Sequence, residues 1–225
     1  MTTFYSFDVR ASDAEILVTV NGIPVELFTS GQSGGGPMNV WMFNGANRIV
    51  FEMTPKGENA RGFAGIDVSG PEGFETLVSF EWPEHEGPAE YVLDAQDLPA
   101  WSWLRAEPVP GAEEEVTAAV ARLHAALEEG KEQEFRDILA AMYANAATMA
   151  TPEQIEQGHQ QMWSDFRKDL QPLGDLAVTA FRDGQVYRVL DAGGMAPIQS
   201  VDDDGGIFST GQWWGKIDGS WQLLK

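Results

Sequence analysis

Histidine is the side chain best suited to acid/base chemistry near neutral pH, and this chain has three of them. His159 lies on the apolar stripe of a predicted helix, four residues after Ile155 and four before Trp163. An imidazole that faces inward needs a hydrogen-bond partner, and Asp191 at the end of a predicted strand is one candidate. We therefore predict His159 and Asp191 as catalytic residues. The alternative is a structural His159 that borders the core and bonds a backbone carbonyl.

The other polar clusters favour solvated turns over chemistry. His85 lies among carboxylates in Glu81–Gly87, which resembles a metal site by composition only. The acidic run Asp202–Gly206 lacks the spacing of a calcium-binding loop, and Gly34–Gly36 lacks the Lys and Ser/Thr of a phosphate loop. The absence of Cys excludes disulfides and a thiolate nucleophile. We predict no metal site and no cofactor.

Aromatic residues near the C-terminus are the candidates for ligand contact. Successive strand residues point to opposite faces, so at most one of Trp213 and Trp214 enters the core. Pairing across the Asp218-Gly219 turn puts Trp214 opposite Leu223 and Lys216 opposite Trp221, on one face of the sheet. That face could line a pocket or simply pack in the core. The predicted ligand-binding residues are Trp163, Tyr187 and Trp214.

Helices followed by strands must position these residues. Apolar residues recur with helical spacing over about residues 112–129 and 131–149, and again after Thr151, which is a good N-cap before Pro152. Beyond Gly174 the period changes to two, and Asp-Gly pairs at 183–184 and 218–219 predict two antiparallel hairpins. Helices that precede a meander of strands indicate the α+β class.

The first hundred residues predict an antiparallel β-sandwich. Short alternating segments such as Glu15–Val20 and Ile23–Phe28 are separated by turn residues, here Asn21-Gly22. Strand character is also predicted on both sides of Asn44-Gly45. Two prolines and a glycine in Glu107–Gly111 interrupt the pattern, so we predict one domain over residues 1–107 and a second over 112–225.

The second half resembles the NTF2-like superfamily of helices packed on a curved antiparallel sheet. The resemblance rests on the helical opening and on the ending Gly211–Leu224, in which Trp221 follows a tight Asp-Gly turn. It implies an apolar pocket between helices and sheet, a His or Asp acid/base in that pocket, and sheets that often pair in dimers. The first half more faintly resembles jelly-roll and immunoglobulin-like sandwich modules, through Asn21-Gly22 and the Gly45–Ile49 segment.

The formal charge of −21 restricts the partners. Residues 1–110 carry 16 acids against 5 bases and residues 111–225 carry 19 against 9, so the acidity covers the whole surface. Phosphate backbones and anionic membranes are repelled by such a surface, so we predict neither nucleic-acid nor membrane binding. No signal peptide and no apolar span are visible, which predicts a cytoplasmic protein.

These observations favour a non-enzymatic binding or protein-interaction protein. Its partner is an unknown small molecule or protein, and a homodimer is possible. The alternative is a small-molecule enzyme, of hydrolase or isomerase type, that uses His159 as the acid/base. A third possibility is sugar recognition by the first half, which requires exposed aromatics such as Trp41 or Trp82.

Overall fold

The chain divides into an N-terminal unit, Met1–Ala100, and a C-terminal unit, Trp101–Lys225. The computed structural model describes residues 3–70, 73–202 and 204–225. In these ranges it contains fourteen strands, all in antiparallel sheets, and four α-helices, so the predicted α+β class is confirmed. None of the helices in the described ranges combines the length and apolar character needed to cross a membrane.

The N-terminal unit consists of two four-stranded antiparallel sheets. One has the strand order β4-β1-β6-β7 and the other β3-β2-β5-β8. Phe7 contacts Phe28 and Phe51 contacts Phe80, and each of these ring pairs joins one sheet to the other. The strands are β1 (Phe4–Ser12), β2 (Ala14–Val20), β3 (Ile23–Phe28), β4 (Ser33–Pro37), β5 (Gly45–Pro55), β6 (Arg61–Gly70), β7 (Gly73–Trp82) and β8 (Ala89–Ala95).

Alternation along the strands buries one face of each sheet. In β2 the side chains of Ile16, Val18 and Val20 are fully buried, while the residues between them are partly exposed. The predicted strand before Asn44-Gly45 is wrong, because Asn39–Trp41 form a short 3-10 helix. The Asn39 side chain accepts the Tyr5 amide at 2.7 Å, and this contact ties the turn to β1.

The C-terminal unit begins with four helices. They are α1 (Glu113–Glu129), α2 (Glu132–Ile138), α3 (Ala140–Ala146) and α4 (Pro152–Phe166). The helix predicted over 131–149 is interrupted at Leu139, which ends α2 and precedes α3. The predicted N-cap of α4 is confirmed, because the side chains of Thr151 and Gln154 form a reciprocal capping box. The predicted buried stripe of α1 is confirmed too and comprises Val116, Val120, Leu123 and Leu127.

A four-stranded antiparallel sheet with the order β14-β13-β10-β9 follows the helices. Its strands are β9 (Leu176–Phe181), β10 (Val186–Asp191), β13 (Trp213–Ile217) and β14 (Ser220–Leu223). The predicted pairing of Trp214 with Leu223 and of Lys216 with Trp221 is confirmed. At the turn between them Asp218 and Gly219 both have positive φ, 50° and 76°, as a two-residue hairpin turn requires. A separate two-stranded ribbon consists of β11 (Gln199–Val201) and β12 (Ile207–Ser209).

The segment ahead of α1 belongs to the C-terminal unit. The Glu107 amide donates to Lys216 O at 2.8 Å, and the Val109 amide donates to Gly184 O at 3.1 Å. The division between the two units therefore falls ahead of Glu107–Gly111, although prolines and glycine interrupt the sequence pattern there.

Candidate functional site

His159 lies inside the C-terminal unit, with a side chain that has no exposed surface. Its Nδ1 is 2.7 Å from the Tyr143 hydroxyl, and its Nε2 is 3.1 Å from Oε1 of Glu132. A carboxylate only accepts hydrogen bonds, so Nε2 carries the proton toward Glu132, and in the neutral ring Nδ1 accepts from Tyr143. We call Glu132, Tyr143 and His159 the His159 cluster.

Helices from three parts of the chain position this cluster. Glu132 starts α2, Tyr143 lies in α3 and His159 lies in α4. Two aromatic rings pack against the imidazole. The ring centroid of Phe135 is 5.8 Å from that of His159, and the centroid of Tyr143 is 5.6 Å from it in an edge-on arrangement. Burial raises the pKa of Tyr143 to about 12, so its hydroxyl keeps its proton at neutral pH and is available to donate.

The cluster reaches the surface through Glu132, whose side chain is 43% exposed. Gln160 donates to Glu132 at 3.2 Å and to Glu156 at 2.9 Å, and Arg136 binds both oxygens of Glu156. The hydrogen bond from Gln160 and the charge-assisted bond from Arg136 lower the pKa of Glu156. A hydrogen-bonded chain thus runs from the partly buried Tyr143 to an ion pair on the surface.

Asp191 has other partners than His159. Its carboxylate accepts the amides of Gly193 and Met195 and the side-chain amide of Gln199, at 2.9, 2.8 and 2.8 Å. The Met195 amide is the main cause of its lowered pKa. Asp191 therefore closes the turn after β10. Both ring nitrogens of His159 bond to Tyr143 and Glu132, so the structure does not join His159 and Asp191 as the pair that the sequence suggests.

The three predicted ligand-binding aromatics take structural positions. Tyr187 is fully buried, and its hydroxyl donates to Val109 O at 2.6 Å and accepts the Ala112 amide at 3.1 Å. Trp214 is fully buried beside Tyr187 in the register of β10 and β13. Trp163 is partly buried. Its ring is tilted by 54° against the Phe135 ring, and the Arg167 guanidinium lies over it at 4.8 Å. Tyr187 and Trp214 therefore fill the space between helices and sheet.

Open clefts lie elsewhere. One of about 440 Å³ is in the N-terminal unit, and we call it the arginine cleft. Its charged and aromatic lining includes Arg10, Arg61, Phe63, Glu81 and Glu84. Two smaller clefts are in the C-terminal unit. One of about 390 Å³ includes His124 and Arg167, and one of about 180 Å³ includes Asp191 and Asp175.

The exposed edge of the ribbon strand β12 is a second feature that sequence reasoning did not single out, although strand character was predicted from Ile207 onward. Every residue of β12 is exposed, including Ile207 at 60% and Phe208 at 44%. In the part of the chain that the structure describes, β11 is its sole strand partner. The sequence does contain a signal for an acidic surface in this segment. Between Arg188 and Lys216 it has four Asp and no Lys or Arg.

Two further interpretations can be tested against the structure. Trp41 and Trp82 are 2% and 4% exposed, so neither offers the open aromatic face that sugar stacking would need. Over residues 3–70, 73–202 and 204–225, no group of three or more His, Asp and Glu side chains is arranged to hold a metal ion.

Comparison with known proteins gave no match to a protein-family model, a curated protein or a solved structure.

Proposed function

We propose that this protein is a non-enzymatic interaction protein, and that it docks a basic, extended segment of a partner protein along strand β12. The observation that carries the proposal is the outer edge of β12. Its backbone groups have no partner among the residues that the structure describes, and they lie beside exposed apolar side chains. Strand addition to such an edge is a common mode of peptide recognition.

The hydrogen bonds of the ribbon show which backbone groups of β12 face outward. Val201 N donates to Asp169 O and Gln171 N donates to Gln199 O, so these two β11 residues face away from β12. Ser200, between them, faces Phe208. Because antiparallel strands alternate, the amides and carbonyls of Ile207 and Ser209 point outward. A partner strand would find two donors and two acceptors there.

The acidic residues near β12 favour a partner segment with basic side chains. The β11–β12 turn carries Asp202 and Asp204, and Asp169 lies on the segment bonded to the other side of β11. An acidic, apolar edge complements a segment in which Lys or Arg alternate with apolar residues. A second copy of this chain carries the same negative charge and would be repelled.

The proposal extends to fold, partners and location. Helices packed on one face of an antiparallel sheet support an NTF2-like architecture for the C-terminal unit, and two facing sheets support a β-sandwich of jelly-roll or immunoglobulin-like type for the N-terminal unit. The charge of −21 supports protein partners over nucleic acid or membrane. We also propose a cytoplasmic location.

A labelled peptide of alternating Lys and Val, titrated by fluorescence anisotropy with the full chain, tests the proposal. Ile207→Pro removes an outward amide without removing a ribbon hydrogen bond, and we expect it to weaken binding about tenfold or more. The matched variant Ile207→Thr keeps the amide, so its loss should be clearly smaller. Circular dichroism verifies that both variants fold.

Two outcomes would overturn the proposal. One is equal binding of a peptide with the same composition but alternating D and L residues, because that peptide is attracted by charge and cannot pair as a strand. The other is a dimer in light scattering that Ile207→Pro converts to a monomer, because a second copy would then occupy β12.

The second candidate is the small-molecule enzyme, and the hydrogen-bonded His159 cluster is the observation that favours it. An acid/base must reach substrate, whereas His159 has no exposed surface. Diethyl pyrocarbonate labelling with mass spectrometry distinguishes the candidates. We expect His85, which is partly exposed, to react and His159 to stay protected. Labelling of His159 as fast as His85 would show an accessible site and favour the enzyme.

A further inference from the structure

The arginine cleft lies on the outer face of the sheet β4-β1-β6-β7. Strand register aligns Ser33, Arg10, Phe63 and Glu81 in one row across the four strands. Paired residues in antiparallel strands share a face, and Ala11, which alternates with Arg10, is buried on the inner face. The row therefore forms the floor of an outward-facing cleft.

Half of the positively charged side chains of the N-terminal unit line this cleft. The N-terminal unit contains four Lys and Arg residues in all, and two of them, Arg10 and Arg61, line the cleft. The other two lie outside the cleft lining in shorter ion pairs: Arg48 binds Glu90 at 2.6 Å and Lys56 binds Glu15 at 2.8 Å.

The cleft residues keep their hydrogen-bonding capacity. Arg61 makes no side-chain hydrogen bond or ion pair with any residue that the structure describes, and the same holds for the carboxylates of Glu81 and Glu84. Arg10 is held over the Phe63 ring at 4.8 Å and makes one long contact, 3.3 Å, with Asp8. Groups of both signs therefore line one cleft without neutralising each other.

We propose that the arginine cleft binds a small zwitterion of the α-amino acid class with an apolar side chain. A guanidinium binds a carboxylate with two parallel hydrogen bonds, which assigns the ligand carboxylate to Arg61 with support from Arg10. Glu81 and Glu84 receive the ammonium group. The Phe63 ring contacts the apolar side chain, and about 440 Å³ is ample space for a molecule of this size.

Net charge separates this ligand class from simpler ones. Two guanidinium groups attract any anion, but two carboxylates in the same cleft repel an anion that has no positive group. A cation without a carboxylate is repelled by the arginines in the same way. A molecule with both charges satisfies both halves of the lining.

Isothermal titration of the full chain with L-valine, L-leucine and L-phenylalanine tests the proposal. At least one should bind, and its amide, which lacks the carboxylate, and its N-acetyl form, which lacks the ammonium, should each bind about tenfold more weakly or worse. Arg61→Gln and Glu84→Gln should cause losses of the same size. Arg48→Gln is the matched control, because it removes an arginine of the same unit from outside the cleft.

Three results would overturn the proposal. They are no binding of any of the three amino acids, binding of the amide or the N-acetyl form as tight as that of the parent amino acid, and equal losses in Arg61→Gln and Arg48→Gln. Arg61 is exposed and has no side-chain partner among the described residues, so Arg61→Gln should fold normally, which circular dichroism verifies. The site is independent of β12, and Ile207→Pro should therefore bind the amino acid as the original chain does.

Discussion

The His159 cluster and the arginine cleft both gather polar side chains, but they leave them in opposite states. In the His159 cluster each polar group is bonded to another, and the imidazole has no exposed surface. In the arginine cleft, Arg61, Glu81 and Glu84 are exposed and keep free hydrogen-bonding capacity. Bonded and buried groups stabilise a fold, whereas free and exposed groups can bind something else. Residue type alone favoured the His159 cluster as a ligand site, whereas burial and bonding favour the arginine cleft that we propose.

The largest effect should follow removal of His159 itself. His159→Ala leaves a cavity and deprives the Tyr143 hydroxyl of its acceptor, so we expect it to lower the free energy of unfolding by about 3 kcal/mol. Urea denaturation followed by circular dichroism measures it. A loss as small as that of an exposed substitution would contradict the structural role and break the comparison.

Tyr143→Phe should cost less, about 1–3 kcal/mol, because it leaves only Nδ1 of His159 without its donor. It should also change the alkaline behaviour. The pKa of Tyr143 is raised from 10.0 to about 12, so the folded state holds this proton more tightly. The contribution of this hydroxyl to the free energy of unfolding is fully present below pH 10 and is lost as the pH rises toward 12. Urea midpoints across that range should fall less in Tyr143→Phe than in the original chain.

Asp191 supplies a smaller effect at the opposite end of the pH scale. Its pKa is lowered below the ordinary value of 3.8, chiefly by the Met195 amide, so its contribution to stability is present above that pH and is lost as the pH falls through the folded pKa. Asp191→Asn should flatten the acid limb of a plot of urea midpoint against pH. An unchanged acid limb would show that the turn after β10 does not depend on this charge.

The smallest effects on stability should come from the arginines of the N-terminal unit. Arg61→Gln should change the free energy of unfolding by less than about 0.5 kcal/mol, because the Arg61 side chain bonds to no other residue that the structure describes. Arg48→Gln breaks the exposed pair with Glu90 and should cost about 0–1 kcal/mol. A larger loss in Arg61→Gln than in Arg48→Gln would mean that Arg61 supports the fold, and the contrast between the two regions would fail.

Local patterns were sufficient for much of the fold. Thr151 and Gln154 cap α4, and Asp218-Gly219 turns β13 into β14, because each motif satisfies its own backbone within a few residues. Other elements escaped prediction because distant contacts decide them. The Asn39 side chain accepts a hydrogen bond from the Tyr5 amide of β1. Asn39 itself begins a 3-10 helix at a place where the sequence predicts a strand.

By itself, the sequence determined the α+β class, the amphipathic stripe that buries His159, and an acidic surface, because periodicity and charge are properties of neighbouring residues. Only the tertiary structure decided which groups meet. It paired His159 with residues 16 and 27 positions away, Tyr143 and Glu132, and it aligned Arg10, Phe63 and Glu81 from three strands. Such contacts depend on helix packing and strand register, which no local pattern encodes.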